Sequence, residues 1–235
     1  RLSALVAGDI GLLQTQSASQ VVDFANGEVP EGINVLIDES EGTEANVMFN
    51  SETGPFADPD LRRAATRAID RQAMIDELFA GYYDVANGPF PASSGLGTIE
   101  NFPEYDPVTA KAEVAQWRSE NGGATPSVKL IVLPTVETRL MADYVAAQWA
   151  TVGIETQIVA MEEAAASAAL IAGNFESVLW SFWDRPDLDA LYHYLYSDST
   201  LNFPKYRSAT VDQALDAGRP IPGKEDRQPL YQPIW

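Results

Sequence analysis

The sequence predicts an α/β fold whose strands pair mainly in parallel. Three observations carry that expectation. The second half of the chain alternates short β-branched runs with longer helical patterns, in the order strand, helix, strand, helix, strand, helix. The connections between the strand patterns are long enough to cross over the sheet, which implies parallel pairs joined with a right-handed turn. The 235 residues are 46% hydrophobic and include nine Phe, nine Tyr and five Trp, enough to build a packed core.

The elements follow in order. Residues 1–7 read as the end of a helix closed by Gly8, and residues 21–37 as a mixed stretch ending in a strand at 34–37. Residues 46–49 alternate as a strand does. Residues 55–81 read as one helix. Asp58 or Asp60 is its N-cap, Pro59 lies in its first turn, and Gly81 is its stop. Leu61, Ala65, Ala68, Ile69, Ile75, Leu78 and Phe79 share its apolar face. Arg63, Arg67 and Arg71 fall four residues apart and would line one side, where Asp60 and Asp70 can pair with the first two. That stripe reads as a solvated, ion-paired face rather than a binding site.

A Gly-, Pro- and Ser-rich loop spans 87–103. Asp106-Pro107 starts the next helix and Gly122-Gly123 stops it. Residues 127–133 form a strand. Thr135 caps a helix to about Thr151, with Leu140, Tyr144, Val145, Trp149 and Val152 among its apolar positions, and Gly153 closes it. A half-buried strand at 154–160, an Ala-rich helix at 162–172 ended by Gly173, and a strand at 175–181 complete the alternation. A helix at 186–196 follows, and Thr210 is positioned to cap a last short one.

Composition narrows the function classes. The formal net charge is −19, which repels nucleic acid and anionic lipid. The acids are uneven: the first 60 residues hold eleven of them and a single base, Arg1. With no cysteine and one histidine, His193, the chain has no disulfide, thiolate metal site, cysteine nucleophile or two-histidine metal site. A hard, oxygen-only metal site is the remaining metal chemistry. No run of 18 apolar residues occurs. The first residue is not Met and the chain opens inside an apparent helix, so a fragment of a longer protein is expected.

In parallel sheets, ligands collect beyond the carboxyl ends of the strands. That points to WSFWDRPDLDALYHYLYSDSTLNFPKY, residues 180–206, which brings Trp180, Trp183 and four Tyr together with several acids. Arg185 offers a planar fork for a carboxylate, while Asp184 and Asp187 suit an ammonium group. Together they are suited to a zwitterion such as an amino acid or peptide. The competing reading makes Tyr192, Leu191 and Leu195 core, Asp187 part of a helix start, and Arg185 the partner of a nearby acid. A hydrolase using paired carboxylates, with Glu162-Glu163 or Asp184 and Asp187 as the pair, is one rival function. An interaction module without a small ligand is another.

Several motifs appear in a set order. Asn50 is followed by Pro55-Phe56 and Asp58. Arg62, Ala64, Ala68-Ile69-Asp70-Arg71 and Gly81 come next. Gly88-Pro89-Phe90-Pro91, Tyr105-Asp106-Pro107 with Ala110-Lys111-Ala112, Gly173-Asn174-Phe175, and Arg185-Pro186-Asp187 with Asp189 come later. Asn202 with Tyr206, then Asp212, close the series, and Leu5-Ala7-Gly8-Asp9-Ile10 stands near the start. This ordered set resembles the family 5 extracellular solute-binding proteins, the peptide- and nickel-type binding proteins of ABC importers. Gly11, Leu188 and Trp183-Asp184 depart from the family's usual residues.

The resemblance implies the carboxy-terminal lobe of a periplasmic binding protein-like clamshell of type II, with a mixed, mainly parallel sheet flanked by helices. Residues 1–45 would be the crossover from an amino-terminal lobe, and residues 46–235 the ligand-binding lobe. The implied function is capture of a small solute such as a peptide, without a cofactor, and delivery to ABC permease subunits at the membrane from a periplasmic or other extracytoplasmic site. The expected ligand contacts are Trp180, Trp183, Asp184, Arg185, Asp187, Asn202 and Tyr206. One lobe offers half of the enclosing contacts, so these residues alone would hold solute weakly.

Overall fold

The computed structural model describes residues 1–15, 17–37, 45–88, 99, 101–181 and 187–234. The chain begins with helices α1 (Leu2–Val6) and α2 (Ala18–Ala25) and strand β1 (Ala45–Phe49). A 3-10 turn at Pro55–Ala57 leads into α3 (Pro59–Arg67) and α4 (Arg71–Phe79), followed by α5 (Pro107–Glu120). The alternating half is β2 (Ser127–Val132), α6 (Val136–Val152), β3 (Glu155–Ala160), α7 (Glu163–Ala172) and β4 (Ser177–Ser181). It continues into α8 (Ala190–Leu195), α9 (Ala209–Gly218), α10 (Lys224–Arg227) and a 3-10 stretch at Gln228–Ile234.

The four strands form one mixed sheet in the order β1-β4-β2-β3. Strand β2 runs parallel to both neighbours, with Ser127 opposite Glu155 and Leu130 opposite Ser177. β1 is antiparallel to β4, so that Ala45 faces Ser181 and Phe49 faces Ser177. The period-two alternation of the strands sorts their side chains between two cores. Leu130, Val132 and Leu179 join Phe56, Leu61, Val114, Val145 and Trp149 on the face covered by α3, α5 and α6. Ile131, Val178 and Met48 face the other way, onto Ala166 and Leu170 of α7 and onto Phe175. A third cluster of Leu188, Leu191, Val211, Leu215 and Tyr231 joins α8 and α9 to the carboxy-terminal stretch.

Trp149 anchors the larger core. It is completely buried. Its ring lies 5.5 Å from that of Phe56 and 6.2 Å from that of Phe49. Its indole Nε1 donates to the Ala65 carbonyl at 2.9 Å.

The stretch 55–81 is two helices rather than one. Asp70 N-caps α4, its carboxylate accepting from the Ala73 amide at 2.9 Å. The break is invisible to apolar periodicity because Ala68 and Ile69, which bridge it, are themselves buried. Carbonyls freed near it are used by other elements: Arg67 O accepts from the Asp106 amide and Ala65 O from Trp149, while Asp70 O, which accepts from the Met74 amide of α4, also accepts from the Tyr144 hydroxyl. The three arginines consequently part company. Arg63 pairs with Asp60 as expected, but Arg67 pairs with Glu113 of α5 instead of Asp70. Arg71 donates to the Ala86 carbonyl and lies over the Phe102 ring.

Smaller departures have local causes. Residues 34–37 form no strand. Ser208, not Thr210, caps α9, its hydroxyl accepting from the Val211 amide. Within 187–196, α8 is confined to Ala190–Leu195. Leu140 is half exposed rather than packed, and Tyr144 spends its hydroxyl on the helix break.

Asp58 caps α3 by accepting from the amides of Asp60 at 2.8 Å and Leu61 at 3.4 Å. Asp58→Ala is expected to cost about 1 kcal/mol. The melting temperature should then fall by about 2–4 °C, a shift measurable by calorimetry.

Candidate functional site

The carboxyl ends of β2, β3 and β4 lie at one edge of the sheet, as their parallel pairing requires. After β2, the Thr135 backbone amide donates to Leu133 O at 2.8 Å. The Thr135 side chain caps α6 by accepting from the Thr138 amide. After β3, the Met161 amide donates to Val132 O, tying the two strand ends together. The first turns of α6 leave Val136 79% exposed and Leu140 50% exposed, so this edge presents apolar surface without a partner among the described residues. β4 brings Trp180 to the same edge, partly buried against the Ile131–Leu170 core, and ends at Ser181.

Trp183, Asp184 and Arg185 lie outside the described residues. Asp187, the next candidate described, sits in an ion pair. Its two carboxylate oxygens accept from the two terminal nitrogens of Arg227, each at 2.8 Å. Oδ1 also accepts from the Asp189 amide at 2.8 Å. The pair is lopsided: the Arg227 side chain is 8% exposed and that of Asp187 is 51% exposed. Hydrogen bonding to Asp187 pushes the Arg227 guanidinium above its ordinary pKa, with burial opposing. Beside this pair, the Arg219 guanidinium lies 3.9 Å over the Tyr192 ring, and Tyr192 stacks on Tyr196 with ring centres 4.3 Å apart. Tyr192 is partly buried against the Leu188–Leu215 cluster, and its ring also joins this stack with Arg219 and Tyr196.

Asn202 and Tyr206 are placed elsewhere. Their loop docks where the Ser51 amide donates to Pro204 O at 2.8 Å. Ser51 is two residues beyond Phe49, whose partner Ser177 begins β4, so the loop meets the end of β4 opposite Ser181. Asn202 is buried, and its amide side chain is engaged with backbone: it donates to Tyr196 O and Tyr206 O and accepts from the Tyr206 amide. This geometry braces a loop. The Tyr206 side chain packs against the Leu188–Leu215 cluster. Of the expected set, Trp180 therefore stands at the strand ends, Asp187 lies six residues after Ser181, and Asn202 and Tyr206 buttress the far side.

Asn50, which opens the motif series, plays a similar bracing part. Its Nδ2 donates to Gly173 O and Phe175 O, while its Oδ1 accepts from the Glu52 and Thr53 amides. The side chain thereby fastens the end of β1 to the turn that enters β4. The pairing of Asp187 with Arg227 carried no sequence signal, since forty residues separate the two. A hollow of about 150 Å³ between α3 and α5 is lined by Asp58, Asp60, Arg63 and Glu113 among others. It is small for a peptide-sized ligand, and Asp60, Arg63 and Glu113 are committed to ion pairs. Among the described residues, no group of three or more acids or histidines is placed to hold a metal ion. No helix among them is long and apolar enough to cross a membrane.

The comparisons with known proteins converge. "Heme-binding protein A" of Haemophilus influenzae is 29% identical over 99% of this chain and 43% of its own length. "Di/tripeptide-binding protein 3" of Pseudomonas aeruginosa is 28% identical over 79% of this chain and 36% of its own. The oligopeptide-binding protein AppA of Bacillus subtilis, solved with a nonapeptide, superposes with a TM-score of 0.81 at 22% identity. That match covers 99% of this chain and 49% of AppA. HbpA2 of Haemophilus parasuis superposes with a TM-score of 0.76 at 24% identity, over 99% and 46% of the two chains. These structures share the fold, and the chain spans less than half the length of each of these four proteins. The family described as "Bacterial extracellular solute-binding proteins, family 5 Middle" matches residues 1–203, and the chain belongs to it.

Proposed function

We propose that this protein is the solute-binding component of an ABC importer, capturing a peptide-like solute and passing it to membrane permease subunits. The family match across residues 1–203 carries the reading. Relatives named for di- and tripeptides, heme and glutathione set the range of solutes. In this reading, residues 46–235 form one jaw of a hinged trap and residues 1–45 belong to the crossing from the other jaw. The protein works outside the cytoplasm. The bite surface is the edge formed by the carboxyl ends of β2, β3 and β4. Trp180 and Trp183 supply flat apolar area there, with Asp184 and Arg185 as charged anchors for the solute. Asn202 and Tyr206 support the lobe behind that surface.

Binding is favoured over hydrolysis, because the family consists of binding proteins. The carboxylate of Asp187 is also taken up by Arg227, which disfavours its use in a catalytic pair with Asp184. The reading is tested by purifying the natural-length protein without added ligand, denaturing it and identifying released small molecules by mass spectrometry. A near-stoichiometric peptide-like compound is expected. Release of nothing, together with turnover of peptides or glycosides by the same preparation, would overturn the proposal in favour of a hydrolase.

A further inference from the structure

The carboxy-terminal stretch meets α8 and α9 at a seam that holds charge as well as apolar surface. Tyr231 is completely buried there with Leu188 and Leu215. The Arg227 side chain is 8% exposed, and both of its terminal nitrogens donate to Asp187 at 2.8 Å. Asp187 Oδ1, which takes one of those bonds, also accepts from the Asp189 amide, so Asp189 stands beside the guanidinium. From the end of α9, Arg219 Nε approaches Asp189 Oδ1 to 3.6 Å. Gly218, the residue before it, lies so near Tyr231 that a Cβ built there would stand 2.8 Å from the hydroxyl. Arg227, Asp189 and Tyr231 thus bring polar groups to one place at the end of α9.

Three polar atoms in this seam are buried and have no hydrogen-bond partner among the described residues: Arg227 Nε, Asp189 Oδ1 and Tyr231 Oη. Leaving a buried polar group in that state is costly, and native proteins avoid it almost everywhere. Three such atoms in one seam mark a place where a small polar molecule is held, and their chemistry selects it. Arg227 Nε–H only donates, and the Asp189 carboxylate oxygen only accepts. The Tyr231 hydroxyl does both: burial, then the Asp189 carboxylate, raises its pKa and keeps its proton in place, with Arg227 opposing. An anion would be set against the carboxylate, and a metal cation against the guanidinium N–H. The local charges also cancel, since two acids, Asp187 and Asp189, are paired with two guanidinium groups, Arg227 and Arg219. The neutral molecule that both donates and accepts, and is small enough for a close-packed seam, is water. A buried water typically makes about three hydrogen bonds to groups that otherwise lack them.

We propose that Arg227 Nε, Tyr231 Oη and Asp189 Oδ1 form a binding site for one buried water molecule, which seals the carboxy-terminal stretch to α8 and α9. The water accepts from Arg227 Nε–H, donates to Asp189 Oδ1 and makes its third hydrogen bond with the Tyr231 hydroxyl.

The test is a crystal structure of the natural-length protein at about 1.5 Å resolution, where ordered water is visible. A water peak within about 3.2 Å of all three atoms is expected. A direct hydrogen bond between Arg227 Nε and Tyr231 Oη, or a seam with no water peak touching all three atoms, would overturn the proposal. Exchange of the Arg227 Nε–H proton with solvent, followed by NMR, reads the same site in solution. Tyr231→Phe keeps the ring against Gly218 and removes one partner of the water, so that proton is expected to exchange at least about fivefold faster. A rate in Tyr231→Phe within about twofold of that of the unmodified protein would show that the hydroxyl does not hold the water, and the three-partner site would fail. The crystallographic result is read on the unmodified protein and is unaffected by how the variant folds.

Discussion

Replacing Trp149 with alanine is expected to destabilise the protein by about 3–5 kcal/mol, the largest single-residue effect in the fold. The indole is completely buried where α3, α6 and the end of β1 meet. Its removal opens a cavity in the larger core. It also strips Ala65 O of its indole donor, at the end of a helix that is already interrupted. Trp149→Phe should cost less, because a ring still fills most of the volume and only the hydrogen bond is lost. Val136→Ala is the control: the side chain is 79% exposed, so its stability should stay within about 0.5 kcal/mol of the unmodified protein. Denaturant titration of the three variants measures the series. A Trp149→Ala variant within 1 kcal/mol of the unmodified protein would mean that the core is not built around the indole.

The second large effect is on binding. Asp184→Ala is expected to lower affinity for peptides with a free amino terminus by about a hundredfold, as loss of one partner in an enclosed charge pair does. Arg185→Ala should instead impair solutes held by a carboxylate. Trialanine and its amino-acetylated and carboxy-amidated forms separate the two, since each blocked form removes one charge. If Asp184→Ala binds all three forms like the unmodified protein, Asp184 does not hold the ammonium group. If Arg185→Ala does so, the carboxylate anchor lies elsewhere.

The alternating half of the fold was legible because each element there carries both its period and its punctuation. Thr135 and Gly153 bracket α6, Gly173 ends α7, and strands β2 and β3 begin or end within one residue of their expected bounds. The break at 68–70 was hidden because Ala68 and Ile69 are as apolar and as buried as the helices beside them. Only the tertiary partners of the freed carbonyls reveal why the chain breaks there. The absent strand at 34–37 shows the opposite failure: a β-prone composition without a strand to pair with among the described residues. Leu36 and Ile37 are 99% and 44% exposed in the structure, so their apolar character is not used among the described residues.

Where the candidate residues lie was legible in part. The rule that ligands gather at the carboxyl ends of parallel strands led to Trp180, which stands at that edge. Motif order led equally to Asn202 and Tyr206, yet the structure shows the Asn202 side chain tied to backbone in a loop at the far end of β4. A polar residue recurring in a motif can brace a loop as readily as it binds a ligand, and spacing does not separate the two roles. Asp187 could be read as a ligand or as part of a helix start. Its partner Arg227 is forty residues away and no local pattern announces it.

The central claim is that solute is gripped at one edge of the sheet, where β2, β3 and β4 end. Hydrogen exchange of the natural-length protein, with and without a saturating co-purified solute, tests it most directly. The account predicts that added protection concentrates at residues 133–137, 161–163, 180–181 and 187–189. Protection concentrated instead in the hollow between α3 and α5, or on the Ser51–Pro204 side of β4, with those four stretches unchanged, would contradict it.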